Sequence, residues 1–244
     1  MDLYHVAALG HASLGTLALA TFWTAGLSKK GSPVHRAAGK VYLSSMAGLL
    51  ALALPMSLYI IAQGHVVIGS FLSYLLVITC TSVWISWRAI RDKRDWRRFT
   101  GPVYHALKWM NLVSGVAIAL VGLFFAQSMQ LVMVAFSAIG ILGFLRMRRQ
   151  ALQPPQDPRW WLRQHLGAML GNGVATHIAF LAIGLPRLVP ALSGPVFTNI
   201  AWLGPLFVSF VAGAWLTRKY LPPRASARAD QTSPSVNQPS PLPR

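Results

Sequence analysis

Residues 66–98 read VVIGSFLSYLLVITCTSVWISWRAIRDKRDWRR, and this stretch decides the fold class of the chain. Its first part, residues 66–87, contains no charged side chain. About 20 such residues form an α-helix long enough to cross the hydrocarbon core of a bilayer. Its last part, residues 88–98, carries six arginines and lysines and two aspartates. An apolar span that ends in basic residues is typical of a transmembrane helix that reaches the cytoplasmic surface.

The composition of the whole chain agrees with this interpretation. Of its 244 residues, 54% are hydrophobic and 11% are charged, whereas a soluble domain carries about 25% charged residues. We therefore predict an all-α fold, a polytopic membrane bundle of seven transmembrane helices. The predicted spans are 3–27, 38–62, 66–87, 103–126, 128–145, 163–185 and 197–217.

The distribution of charge predicts the orientation of these spans. The chain carries 22 lysines and arginines and a formal net charge of +17. All of these basic residues except Arg187 fall on one side when the spans alternate across the membrane. The positive-inside rule makes that side cytoplasmic, with the N-terminus outside and the C-terminus inside. Anionic lipid headgroups, and not nucleic acid, are the expected partners of the basic segments.

The composition changes after residue 221. Residues 1–221 form the predicted seven-helix transmembrane domain, whereas residues 222–244 contain six prolines and several serines. A segment with so few large apolar groups cannot offset the entropy cost of ordering, so we predict a disordered cytoplasmic tail. The chain has no glutamate and a single cysteine, Cys80. These two facts argue against paired-carboxylate catalysis and against a disulfide framework.

Three histidines lie close to the predicted cytoplasmic ends of their spans. Each follows a pair in which Ser, Gly or Asp precedes proline, a combination favoured at the start of a helix. The three pairs are Ser32-Pro33 before His35, Gly101-Pro102 before His105, and Asp157-Pro158 before His165. One interpretation is structural: helices that begin in a basic interface often contain such residues without forming a binding site. The functional hypothesis is that the three histidines line one inner site for a haem, a metal or a quinone.

The helical face that contains His165 is polar. Met169, Asn172 and Thr176 follow His165 at intervals of three and four residues, which places them on one face of span six. Lipid offers no partner for such groups, so we predict that this stripe faces the interior of the bundle and that span six is central. Interhelical hydrogen bonding without chemistry is the alternative role of the stripe.

Two further histidines suggest a cofactor in the outer half of the bundle. His11 and His177 each lie about eight residues from the outer end of their span, which is a depth of ~12 Å. Two histidines at one depth on different helices fit the axial ligation of haem b. Gly15 and Gly173 would leave room for the macrocycle. A tight helix crossing is the alternative explanation for the small residues.

Two motifs resemble those of a known group of sequences. The first fits HR-x2-G-x2-Y-x3-M through His35, Arg36, Gly39, Tyr42 and Met46. The second fits H-x3-M-x-G through His165, Met169 and Gly171. Both are similar to signatures of an uncharacterised group of predicted bacterial multi-span membrane proteins that share a domain of unknown function. The resemblance extends over spans one to six, and it implies a location in the bacterial inner membrane.

The sequence leaves three functions open. The buried histidines favour a membrane protein that binds haem b or a quinone for transmembrane electron transfer. A non-catalytic scaffold or assembly protein would use the same histidines structurally. A small-molecule transporter would have to couple through histidines or backbone carbonyls, because the predicted spans contain no carboxylate. Whether the chain is an enzyme stays open.

Overall fold

The computed structural model describes residues 3–126, 129–192 and 194–221, and this part of the chain is helical without any strand. The predicted tail, residues 222–244, lies outside the described residues. The helices are α1 (Leu3–Leu27), α2 (Pro33–Ala62), α3 (Val66–Arg91), α4 (Trp96–Phe99), α5 (Pro102–Phe125), α6 (Gln130–Leu152), α7 (Trp160–Ile178), α8 (Leu185–Leu188) and α9 (Pro195–Tyr220). A π-helical segment, Ala179–Gly184, connects α7 to α8.

Seven of these helical stretches are long and apolar enough to cross a membrane. They are α1, α2, α3, α5, α6, the continuous stretch from α7 through α8, and α9. The predicted number of spans is therefore confirmed. Helices α3 and α6 extend four and seven residues beyond the predicted spans, to Arg91 and Leu152. The apolar criterion stops at the first charges, whereas a helix continues through arginines whose apolar stems lie along it.

The end of the bundle that contains the loops 28–32, 92–101 and 153–159 and the C-terminus of α9 is called the basic end below. Aromatic rings hold its cations close to the helices. The Cζ atom of Arg88 lies 5.4 Å from the ring centroid of Trp84, and that of Arg91 lies 5.3 Å from Trp87. Such cation–π contacts anchor a helix end at the level of the headgroups.

Two of the three predicted helix caps are present. Ser32 caps α2, and its hydroxyl accepts a hydrogen bond from the backbone N–H of His35 at 3.2 Å. Gly101 caps α5. The third prediction was wrong, because α7 begins at Trp160 with Arg159 as its N-cap. Asp157 instead accepts a hydrogen bond from the N–H of Arg159 at 2.8 Å, which closes a turn before the helix starts.

Helices α3 and α7 occupy the centre of the bundle. Helix α3 packs against α2, α5 and α7, while α7 also contacts α1 and α9. The helix pairs α1–α2 and α5–α6 are antiparallel hairpins on either side. The central position predicted for span six is confirmed, and this position brings residues of α1, α2, α3 and α7 together near the basic end.

Candidate functional site

Three histidines share one hydrogen-bonding arrangement. The Nδ1 atoms of His11, His35 and His165 lie 3.0, 2.9 and 3.0 Å from backbone carbonyl oxygens of Leu49, Ala25 and Ser86. A carbonyl oxygen can only accept, so Nδ1 carries the proton in each ring. In the neutral imidazole this leaves the lone pair on Nε2. This is the tautomer that histidine metal ligands adopt when a carbonyl fixes the ring.

His35 and His165 both lie at the basic end, on the neighbouring helices α2 and α7. His35 lies in the first turn of α2 and is held by the last turns of α1, whereas His165 lies in α7 and is held by α3. The hydroxyls of Tyr42 on α2 and Thr176 on α7 lie 3.1 Å apart, so the helical faces that carry the two histidines adjoin each other. Residues of four helices therefore position the two rings. Because Nδ1 carries the proton in each neutral ring, Nε2 keeps its lone pair. We call this pair with its neighbours Tyr42, Ser86 and Asn172 the histidine site.

A chain of buried polar groups continues from His165 into the bundle. Ser86 is fully buried, and its hydroxyl lies 3.4 Å from the amide nitrogen Nδ2 of Asn172. The hydroxyl of Thr176 donates to the backbone oxygen of Asn172 at 2.9 Å and lies 3.1 Å from the hydroxyl of Tyr42. Asn172 and Tyr42 are 0% exposed and Thr176 is 7% exposed, while Met169 packs against the cluster around Tyr42. The predicted stripe on α7 thus faces the interior.

One atom of this network has no protein partner. The side-chain oxygen Oδ1 of Asn172 accepts no hydrogen bond within the described part of the chain. A buried carbonyl oxygen without a donor costs ~1–3 kcal/mol. Polar atoms left in this state in the interior of a protein mark places where a water or a ligand supplies the missing group.

We expect the replacement Asn172→Leu to destabilise the fold by about 0.6–2 kcal/mol, because it removes the interhelical hydrogen bond to Ser86. Thermal unfolding of the detergent-purified protein measures the change. Asn199→Leu is the matched control, since Asn199 is exposed on α9. Equal melting temperatures of the two variants would contradict the structural role of Asn172.

Open space lies beside His35. Gly39 and Tyr42 follow His35 on the same face of α2, and a Cβ atom added at Gly39 would meet no atom within 4 Å. Around the inner part of this face lie Phe22, Met46 and Met169. The two motifs that carry the resemblance described above thus converge on the histidine site.

Two other candidate histidines, His177 and His105, do not join the site. His177 already uses both ring nitrogens, because Nδ1 lies 2.7 Å from the carbonyl oxygen of Gly173 and Nε2 accepts the indole N–H of Trp23 at 3.0 Å. His105 is exposed on α5, and its Nδ1 lies 3.1 Å from Nζ of Lys108. The inner trio predicted from the sequence is therefore a pair, His35 and His165.

The structure does not bring His11 and His177 together. His177 binds Trp23, which follows His11 on α1 by twelve positions, or ~18 Å along the helix axis. Two nitrogens that share an iron must lie ~4 Å apart across it. Gly173 leaves no clearance either, because its added Cβ would lie 2.5 Å from Cζ of Phe22. The depth of His11 and His177 was predicted by counting residues from the outer end of each span. This count assumes that both helices end at the same level and have the same tilt, whereas packing sets the tilt of each helix separately.

Sequence reasoning missed Ser86, the residue that contacts both His165 and Asn172. A signal for it exists, because Thr79, Ser82 and Ser86 are spaced by three and four residues and form a polar face on α3. Ser82 meets α7 at Gly171, where an added Cβ would lie 3.2 Å from its hydroxyl oxygen. This face pairs with the polar stripe of α7.

The described residues contain no group of three or more His, Cys, Asp or Glu side chains that could hold a metal ion. A metal site made by protein ligands alone needs about four of them when structural and three when catalytic. The histidine site offers two nitrogens. It therefore suits a group that brings most of its own ligands, or an organic molecule that donates hydrogen bonds.

Lys30 lies beside this site in the loop between α1 and α2. Its ammonium donates to the carbonyl oxygens of Gly26 and Ala25, the latter of which also accepts from His35. Burial lowers the pKa of Lys30 below its ordinary value of 10.5, and the charge of nearby Lys219 lowers it further. The Lys30 amine binds its proton more tightly in the unfolded chain than in the folded one. The free energy of unfolding therefore rises with pH between the lowered pKa and 10.5.

We expect Lys30 to react with acetic anhydride at lower pH than a lysine in a model peptide, because only the neutral amine attacks. Peptide mass mapping after labelling between pH 7 and 11 gives the midpoint. Lys219→Gln should move this midpoint upward, towards the value in the peptide. A midpoint at or above that of the peptide would contradict the predicted shift.

No family model, no curated protein and no solved structure matches the chain. The class of protein therefore follows from the fold itself, and the seven apolar helices indicate a multi-pass membrane protein. Membership in the bacterial group that the two motifs resemble stays a prediction.

Proposed function

We propose that this chain is a membrane redox protein that binds one haem b through His35 and His165 near the basic end. The observation that carries the proposal is that the two rings have the same tautomer and the same type of hydrogen bond. Each donates its Nδ1 proton to a backbone carbonyl at 2.9–3.0 Å and presents Nε2 as a lone pair, from two different helices. When bound, haem supplies one-electron transfer, and its porphyrin supplies the four equatorial nitrogens that the protein lacks.

The surroundings of the pair support a planar anionic cofactor. Open space at Gly39 adjoins His35, and the apolar side chains packed around Tyr42 and Met46 lie deeper in the bundle. Two cations, Arg36 and Lys40, lie close to His35 in the sequence of α2. Haem b carries two propionates, and arginines and lysines are their natural partners at a membrane surface. The Nδ1 hydrogen bonds orient the rings before any ligand binds.

The test is the absorption spectrum of the purified full-length protein after addition of hemin. We expect a low-spin b-type spectrum, with a Soret band that shifts on reduction by dithionite and saturates at one haem per chain. Spectra identical to those of hemin in the same detergent would refute the proposal. Cofactor retained during expression, measured by a haem stain, gives an independent readout.

A quinol is the second candidate, and one observation favours it. Oδ1 of Asn172 receives no donor within the described residues, and Nε2 of His35 and of His165 is an acceptor when Nδ1 carries the proton. A quinol offers two hydroxyl donors and an apolar tail suited to the bilayer. Solvent extraction and chromatography of the protein purified without hemin distinguish the two. About one quinone per chain together with no haem binding would favour this candidate.

We also propose that the basic end is cytoplasmic and that the chain lies in a bacterial inner membrane, with the anionic headgroups of the inner leaflet against the basic loops. The uneven distribution of lysine and arginine supports this orientation. Reporter fusions after Arg218 should therefore be active as cytoplasmic fusions, and fusions within 187–196 as periplasmic ones. A C-terminus accessible to impermeant label from outside intact cells would overturn the orientation.

A further inference from the structure

Arg146 and Arg163 form a cationic site between α6 and α7 that is independent of the histidine site. The guanidinium of Arg146 reaches from α6 to α7 and lies against Gly167. A Cβ atom added at Gly167 would be 3.3 Å from Nη2 and 3.6 Å from Nη1 of Arg146. Arg163 precedes Gly167 by four residues, so the two lie on the same face of α7. The guanidinium of Arg146 therefore lies against the face of α7 that carries Arg163.

Nothing in the described part of the chain neutralises these two arginines. Neither side chain has an ion pair or a hydrogen bond there. The described aspartates are engaged with other groups. Asp92 pairs with Arg88 and Arg98, Asp95 accepts from the N–H of Arg98, and Asp157 pairs with Arg159. Two cations on one face without a counter-ion repel each other, and an anion bound by both would remove this repulsion.

The face of α6 below Arg146 indicates the nature of this anion. Leu142 and Ile139 precede Arg146 by four and seven residues, which places them on the same face, and they are 62% and 36% exposed. Arg146 lies at the end of a span, where a lipid headgroup would contact it. The exposed apolar side chains on the same face lie where the acyl chain of that lipid would run. Basic pockets between transmembrane helices bind anionic lipid headgroups in this way.

We propose that Arg146 and Arg163, where the side chain of Arg146 reaches α7 at the basic end, bind the phosphate diester of an anionic phospholipid, while an acyl chain lies along Leu142 and Ile139. Gly167 lets the guanidinium of Arg146 lie close to α7, because a Cβ atom there would force it to move by a few tenths of an ångström. The planar guanidinium suits the phosphate because it can donate two parallel hydrogen bonds.

The test is native mass spectrometry of the full-length protein titrated with phosphatidylglycerol, with phosphatidylcholine as the zwitterionic reference. We expect Arg146→Gln and Arg163→Gln each to weaken phosphatidylglycerol binding about fivefold, and the double variant about 25-fold, as for the loss of one charge contact each. Arg148→Gln is the matched control, because residue 148 is exposed on another face of α6. Equal binding by the double variant and the control would overturn the proposal.

A second arm separates a lipid site from a site for small anions. Inorganic phosphate is added in the presence of phosphatidylglycerol at constant ionic strength. We expect little displacement, because phosphate lacks the acyl chain that contacts α6. Full displacement by millimolar phosphate would overturn the lipid assignment. Leu142→Asn, which leaves both arginines in place, should weaken binding of phosphatidylglycerol and leave binding of phosphate unchanged.

Discussion

Replacement of His165 by alanine should abolish the low-spin haem spectrum of the protein, and His35→Ala should do the same. Each variant removes one of the two Nε2 ligands, and a single imidazole cannot hold the iron in the low-spin state. Hemin titration followed by the Soret band should show at least a tenfold loss of affinity for either variant.

Two controls separate ligation from structural damage. His105→Ala removes an exposed histidine from the same end of the bundle, and it should leave the spectrum intact. Added imidazole should restore the low-spin spectrum of His165→Ala, since the deleted side chain leaves room for it. A wild-type spectrum in both alanine variants would show that other residues hold the haem. Loss of the spectrum in His105→Ala as well would show that it reports on folding.

Gly140→Ala should cause the largest loss of stability among single methyl additions in α6. A Cβ atom at this position would lie 2.7 Å from the backbone oxygen of Asn111 and 2.9 Å from the hydroxyl of Tyr74. That hydroxyl donates to the carbonyl of Phe136 at 2.6 Å and accepts the N–H of Gly140 at 2.9 Å. Overpacking costs ~1–3 kcal/mol, and the displaced buried hydroxyl adds about 1 kcal/mol or more. We expect a total of about 3 kcal/mol.

Gly143→Ala is the matched control on the same helix. Its Cβ would meet only the side-chain oxygen of Asn111, at an ordinary 3.6 Å, and alanine is favoured over glycine in a helix by about 0.5–1 kcal/mol. This variant should melt at or above the wild-type temperature. The chain carries a built-in probe, because its single cysteine, Cys80, is half-buried in α3 and a thiol-reactive dye reports its exposure on heating. Equal melting of the two variants would contradict the close approach of α5 and α6.

The histidine site shows where sequence reasoning reaches its limit. The inward direction of Asn172 and Thr176 follows from the helical period of α7 and from the absence of polar partners in lipid. The position of His35 and His165 on adjoining faces of α2 and α7 also agrees with their similar distance from the basic end. His105 was predicted to join these two histidines, but the structure places it elsewhere. Residues at one depth on different helices share a site only when their helices are neighbours and their faces converge.

The sequence by itself determined the seven spans, the grouping of cations at one end and the buried face of α7. These properties depend on the composition and periodicity of single helices. Lipid and water each favour particular side chains along one helix, whatever its neighbours are. The tertiary structure alone decided that His177 contacts Trp23, that Ser86 joins His165 to Asn172, and that Arg146 reaches Gly167. These contacts depend on the relative tilt, rotation and register of separate helices. Such quantities follow from side-chain packing over the whole bundle, and no single segment encodes them.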